Sequence, residues 1–170
     1  MALTSQIVEY TNQWSDMFIA EKTRLITVFG PKIIRIHHIG STAIPGIAAK
    51  PEIDILVEVS DHEDENNIVH KMAVLGYIKG KDLSEGHHFY RRDVNGIRTH
   101  KVHVCLTGHT EIFRMILFRD ILRQDSILRQ QYQNLKLELE STNKFGIKEY
   151  LEKKAPFINE VIDSTLKAKQ

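Results

Sequence analysis

The segment HHIGSTAIPGIAAKPEIDILVEV, residues 37–59, carries the residue types that chemistry on a phosphate ester requires. Gly40-Ser41 closes a β-branched run and makes a turn. Free backbone amides at such a turn, helped by the hydroxyl of Ser41 or Thr42, suit phosphate oxygens. Glu52 and Asp54 follow, separated by Ile53. On a strand that spacing sends both carboxylates to one face. Two carboxylates so close are costly unless a cation lies between them, and hard oxygen donors suit magnesium or manganese. An ion shared between those carboxylates and the phosphates of a nucleotide would orient an in-line displacement. Lys50 would neutralise phosphate charge. A Gly-Ser turn alone is ordinarily just a turn, and an acid-apolar-acid strand ordinarily has one solvated face. Their order and spacing together are far more specific.

The flanking elements must position that segment. Trp14, Met17, Phe18, Leu25, Val28 and Phe29 recur at helical spacing over residues 12–29, and Gly30-Pro31 stops the helix. Residues 33–39 and 53–59 read as strands. In the second, Glu52, Asp54, Leu56 and Glu58 point one way and Ile53, Ile55, Val57 and Val59 the other. The turn after Ile39 is placed to start a helix. Ser60 or Asp61 is expected to cap the helix that buries Ile68, Val69, Met72 and Ala73 and ends at Gly76. Residues 87–94 and 98–106 form a strand pair about Asn95-Gly96, a strong hairpin signal. From Thr110 the chain is helical. Ile112, Phe113, Ile116, Leu117 and Ile121 make one apolar stripe, and Leu128, Tyr132, Leu135 and Leu139 the next. A loop at residues 143–146 leads to a last helix, which Pro156 kinks or restarts. The fold expected is α+β: a small mixed sheet with helices on one face, the other face partly open, and a helical C-terminal part. One domain spans residues 1–170, with a core over about 12–108 and the helical part over about 110–168.

Composition narrows the partners. A chain of 170 residues with 42% hydrophobic residues has enough for one sizeable core. The formal net charge of +1 predicts no strong pull on DNA, RNA or anionic membrane, so a small molecule or protein is the natural partner. A single cysteine, Cys105, excludes an intramolecular disulfide. The N-terminal residues lack the pattern of a signal peptide, no apolar run is long enough to span a membrane, and a cytoplasmic setting is expected.

The arrangement of residues 37–59 resembles the nucleotidyltransferase superfold signature, a Gly-Ser turn followed by two acids flanking an apolar residue. It is more closely similar to the hallmark of the GrpB family. RTHKVHV at 98–104, FRDILR at 118–123, Tyr132 with Leu135-Lys136, and Tyr150 with Lys154 and Phe157-Ile158 fit the same pattern. The resemblance covers nearly the whole length. It implies a polymerase-beta-like catalytic core with a helical C-terminal part, without supplying a reaction. The site residues themselves call for a nucleoside triphosphate and a divalent metal. Relatives often carry an apolar residue where Glu52 stands. The superfold usually places a third acid on a later strand, where this chain offers His103.

His103 either completes the metal site, where a histidine favours zinc, nickel or iron, or acts as a general base, or hydrogen-bonds a neighbour. His38 reads as an orienting residue beside the turn. Arg92 either binds phosphate or is surface charge on the hairpin. Arg119 and Asp120 read as an ion pair holding a helix against the site. Lys136 and Lys154 either reach the cleft or lie on a solvated helix face. The leading function is metal-dependent nucleotidyl transfer to a small molecule or protein. The alternatives are a degenerate nucleotide- or phosphate-binding module, and a transition-metal hydrolase using Asp54, His100 and His103.

Overall fold

The computed structural model describes residues 5–170. The first helix, α1 (Gln13–Phe29), ends at Gly30, whose φ of 55° combined with ψ of −134° only glycine adopts readily. A five-stranded sheet follows in the order β1-β2-β5-β4-β3, built from β1 (Ile33–Ile39), β2 (Ile53–Val59), β3 (Ile78–Lys79), β4 (His87–Val94) and β5 (Ile97–Leu106). Its neighbours are antiparallel except β2 and β5, which run parallel. The β2-to-β5 connection carries α2 (Glu65–Val74) and the short strand β3, which the sequence reading did not anticipate. Asp64, not Ser60 or Asp61, caps α2, its carboxylate accepting from the Asn67 amide at 3.2 Å. Asn95 and Gly96 both have positive φ, 52° and 77°, as a tight hairpin turn between β4 and β5 requires.

The alternation expected in β2 is observed. Ile53, Ile55, Val57 and Val59 join Val102, Val104 and Tyr90 in a core beneath α1 and α2. The opposite face is not simply open. The helix α3 (Thr110–Gln124) lays Ile112, Met115 and Ile116 over Ile39, Leu56 and Cys105, so helices cover part of both faces. Phe113 points away and is 55% exposed; Phe118 and Leu122 take the buried positions. The helices α4 (Ser126–Thr142) and α5 (Ile147–Ala168) follow, and α5 runs unbroken through Pro156. Tyr132, Val161, Ile162, Phe118 and Leu122 pack around Ile44 and Ile47, just beyond the Gly-Ser turn. The helical part is thereby fastened to the edge of the candidate site. Among the described residues, no helix is long and apolar enough to cross a membrane.

Candidate active site

The turn after β1 is a single 3₁₀ turn over Ser41–Ala43, not the start of a helix. The amides of Ala43 and Ile44 are spent on the carbonyls of Gly40 and Ser41. Gly40 has φ +73°, and a Cβ there would collide with Asp54 Oδ2. Only glycine therefore lets the turn press against the acid. Thr42 is buried, and its hydroxyl donates to the Glu52 carbonyl at 3.1 Å. That hydroxyl also lies 3.0 Å from His38 Nε2, which then donates to it. Burial lowers the His38 pKa to about 4, so the ring is neutral, and it stacks on Phe18 at 4.8 Å. His38 is thus bonded to the turn through Thr42. Thr42 serves the same structural link, and Ser41 lines the cleft beside it.

Glu52 and Asp54 do share one side, and with Ser41 and Thr42 they line a single cleft. The register pairs Asp54 with Lys101 and Leu56 with His103. Lys101 therefore stands where a partner for the acids was sought. Its Nζ lies 3.3 Å from Glu52 Oε2 and 3.3 Å from Asp54 Oδ1. Burial works to lower the Lys101 pKa, but the two carboxylates together outweigh it and raise it. Asp54 Oδ1 is buried and has no aligned hydrogen bond despite that ion pair.

His103 does not join the acids. Its Nδ1 lies 2.8 Å from His87 Nε2, one side-chain step further along β5. Burial, with His87 and Lys101 nearby, lowers its pKa to about 3. His100 and Arg92 lie on the other face of the sheet. Arg92 Nη1 donates to Glu21 Oε1 at 3.0 Å, and its other terminal nitrogen lies 3.0 Å from His100 Nδ1. Arg92 is thus neither a phosphate ligand of this cleft nor surface charge, because strand alternation turns it toward α1. For the same reason Asp54, His100 and His103 do not converge as the hydrolase reading required.

The other cleft wall comes from the helical part. Lys136 is 2% exposed, not solvated, and Nζ donates to the Ala48 carbonyl at 2.6 Å. Burial, reinforced by Lys154 and Lys50, lowers its pKa to about 7. Lys154 lies over the rings of Tyr150 and Tyr132 at 5.1 and 5.9 Å, and Lys50 over Tyr150 at 4.7 Å. Burial also lowers the Lys50 pKa. Four lysines, 50, 101, 136 and 154, thus surround one carboxylate pair. Arg119 pairs with Asp120 at 2.8 Å and donates to the His38 carbonyl at 3.1 Å, so α3 is tied to the residue two before Gly40.

Sequence alone assigned neither Lys101 nor Tyr150 a place in the cleft. Strand alternation already put Lys101 and His103 on one face; only the β2-β5 register distinguishes them.

This architecture belongs with the nucleotidyltransferase-like folds. It superimposes on a Cid1 poly(U) polymerase structure bound to Mg 3′-dATP with a TM-score of 0.57 and 10% identity, over 86% of this chain and 49% of that one. A cytoplasmic RNA terminal U-transferase gives 0.53 at 12% identity, over 78% of this chain and 43% of that one. Identities this low show the fold alone. The chain belongs to the GrpB family, whose model, described as GrpB protein, matches residues 4–164. It is 40% identical over 154 residues to UPF0157 protein YqkA of Bacillus subtilis, which covers 90% of this chain but 45% of that relative. The glutamate-rich protein GrpB of Alkalihalophilus pseudofirmus is 31% identical, over 92% of this chain and 93% of the relative. The crystal structure of conserved protein GrpB from Enterococcus faecalis matches with a TM-score of 0.87 and 31% identity, over 96% of this chain and 99% of that one.

Proposed function

We propose that the cleft binds a nucleoside triphosphate and transfers its nucleotidyl group to a small-molecule or protein acceptor. The observation that carries this reading is the ring of Lys50, Lys101, Lys136 and Lys154 around an acid pair pressed against a Gly-Ser turn. A cation excess in a partly desolvated cleft suits a polyphosphate. Lys50, Lys136 and Lys154 hold its charge, and the Ser41 hydroxyl donates to a phosphate oxygen. In the transfer, an acceptor hydroxyl oxygen bonds to the α-phosphorus and gives up its proton to solvent as the α–β anhydride bond breaks, and pyrophosphate leaves with the electron pair.

The donor set fits one hard divalent cation. Glu52 and Asp54 offer oxygens, and Asp54 Oδ1 is buried without an aligned hydrogen bond. Magnesium or manganese held by Glu52 and Asp54 would screen the charge that develops on the phosphates. Lys101 occupies the same carboxylates in the protein alone, so it must yield when a cation enters. A lysine swinging from acids to phosphate keeps the charge balanced. The overall charge of +1, with lysines gathered inside a cleft, supports a small or protein acceptor over a nucleic acid. A cytoplasmic setting, where nucleotides and magnesium abound, accords with it.

Incubation with each labelled nucleoside triphosphate, magnesium or manganese and a broad acceptor mixture should release pyrophosphate. Asp54→Asn should abolish that release. One observation favours a second reading. Lys101 stands where a third carboxylate would be expected, and an ammonium there suits a module that holds a nucleotide without transferring it. That reading predicts saturable nucleotide binding, no pyrophosphate, and equal binding by Asp54→Asn. Absence of both turnover and binding would refute both.

A further inference from the structure

A second cluster of chemically able side chains lies on the same sheet face, outside the cleft. His87 opens β4 and faces Cys105 across the β4-β5 ladder. His109 caps α3 directly above. One donor atom from each of these three residues lies within 4.8 Å of the other two. His87 and Cys105 are 2% and 0% exposed, so neither is a surface coincidence. The nucleotide-binding reading uses none of them.

An independent feature of the cluster points to a missing partner. His87 Nδ1 is buried with no hydrogen bond, although the same ring is held firmly through Nε2 by His103 Nδ1 at 2.8 Å. A buried imidazole nitrogen left bare is uncommon, because each such group forfeits its hydration. If the His87 proton sits on Nε2 and is donated to His103, a lone pair remains on Nδ1. One nitrogen hydrogen-bonded and the other free is the arrangement that metal-binding histidines adopt. His109 has both nitrogens engaged: Nε2 lies 2.9 Å from the Ser84 hydroxyl, and Nδ1 accepts from the Glu111 amide at 3.1 Å. With Nε2–H donated to Ser84, the Nδ1 lone pair reaches a metal once the Glu111 amide releases it.

We propose that His87 Nδ1, Cys105 Sγ and His109 Nδ1 form a binding site for a borderline-soft divalent transition metal of the zinc class. Two imidazoles and one thiolate match the softness of such an ion and disfavour magnesium. Bonds of about 2.0–2.1 Å to nitrogen and 2.3 Å to sulfur require the widest separation to close by about an ångström. Rotation of His109 on the exposed side of the cluster can supply that movement. Binding exchanges the Cys105 S–H for a metal–sulfur bond and releases one proton to solvent. Glu111 N–H, which loses His109 as acceptor, lies in the first turn of α3 and turns to water. Three protein donors leave a fourth position for water or an outside ligand. The site ties β4, β5 and the start of α3 together. His103, which touches the metal nowhere, is a positioning residue.

This proposal concerns donors distinct from Glu52 and Asp54, and its test does not involve nucleotide. The chelator-treated full chain is titrated with cobalt(II), whose thiolate bond gives a near-ultraviolet charge-transfer band and whose tetrahedral geometry gives visible bands. One cobalt per chain should produce both features, and excess zinc should erase them. Cys105→Ser should lose the charge-transfer band. His109→Asn keeps a helix-capping side chain and should weaken cobalt binding strongly while leaving the fold, read by circular dichroism, intact. His103→Phe should weaken it about 10- to 100-fold without removing the band, the signature of an orienting partner. Asp54→Asn should leave the band unchanged. The proposal is overturned if a folded parent chain gives no charge-transfer band, or if the band survives in both Cys105→Ser and His109→Asn at unchanged affinity.

Discussion

The two faces of the sheet each bury a charged cluster, and the two clusters are finished to different degrees. Beneath α1, Glu21 is 3% exposed and fully engaged. Tyr77 donates to it at 2.8 Å, Arg92 at 3.0 Å and Arg24 at 3.0 Å, while Arg92 also meets His100. Burial and the adjacent Glu21 hold the Tyr77 hydroxyl protonated by raising its pKa. Across the sheet, Lys101 must serve two carboxylates at 3.3 Å each, Asp54 Oδ1 lacks an aligned hydrogen bond, and three more lysines stand nearby without an acid of their own in the cleft. A closed network of this kind is structural. An ionic cluster with surplus lysines, and an acceptor served only by an ion pair, is the arrangement the proposed ligand site requires. Buried groups left partly satisfied cost stability, and a protein retains that cost where function needs it.

The contrast can be broken most forcefully from the structural side. Arg92→Leu takes one of two arginines from the buried Glu21, leaving Arg24 and Tyr77, so it should cost about 3 kcal/mol in chemical denaturation, the low end for breaking a buried ion pair, while nucleotide affinity per folded molecule stays at the parent level. Loss of affinity without loss of stability would erase the distinction between the faces. Gly40→Ala should come next. It forces a side chain into φ +73° and against Asp54, costing about 1–3 kcal/mol and displacing the acid, so calorimetry should show lower stability and nucleotide titration weaker binding.

Lys101→Met removes the ammonium that bridges Glu52 and Asp54. The two carboxylates then repel each other, so the variant should be less stable than the parent at pH 7 by about 1–3 kcal/mol in chemical denaturation. Millimolar magnesium should restore part of that loss at pH 7 and have less effect on the parent. No magnesium response in the variant would count against a cation on this pair. The smallest expected effect belongs to Lys136. With its pKa lowered to about 7, the side chain sheds its proton as pH climbs through neutrality, so affinity for inorganic triphosphate should fall severalfold from pH 6 to pH 8. Lys136→Arg keeps its charge throughout and should flatten that profile.

The skeleton of the site was legible because local rules govern it. Alternation alone put Ile53, Ile55 and Val57 in the core and Asp54 on the other face. The Asn95-Gly96 hairpin and the stop at Gly30 follow from backbone conformations that few residues allow. What escaped depends on pairings between distant segments. A parallel register brings Lys101 rather than His103 beside Asp54, and no turn chemistry fixes that register in the sequence. Arg92 was misplaced because a hairpin arginine is ordinarily on the outside, and only the packing of α1 shows that Glu21 awaits it. Lys136 carried an unread signal. It lies four residues after Tyr132 and three before Leu139, on the apolar stripe itself, where a charged residue is out of place unless it has a use.

The cleft is assembled from two sources. Its acids and its turn belong to the sheet side, whereas Lys136, Lys154 and Tyr150 arrive on α4 and α5, held there by the packing of Tyr132, Val161 and Ile162 around Ile44 and Ile47. The part that would carry the reaction and the part that would choose the ligand are therefore separately adjustable. Substitutions along the two final helices can reshape what is admitted while the acid pair and its glycine stay untouched, so the same scaffold can be retuned from one polyanion to another.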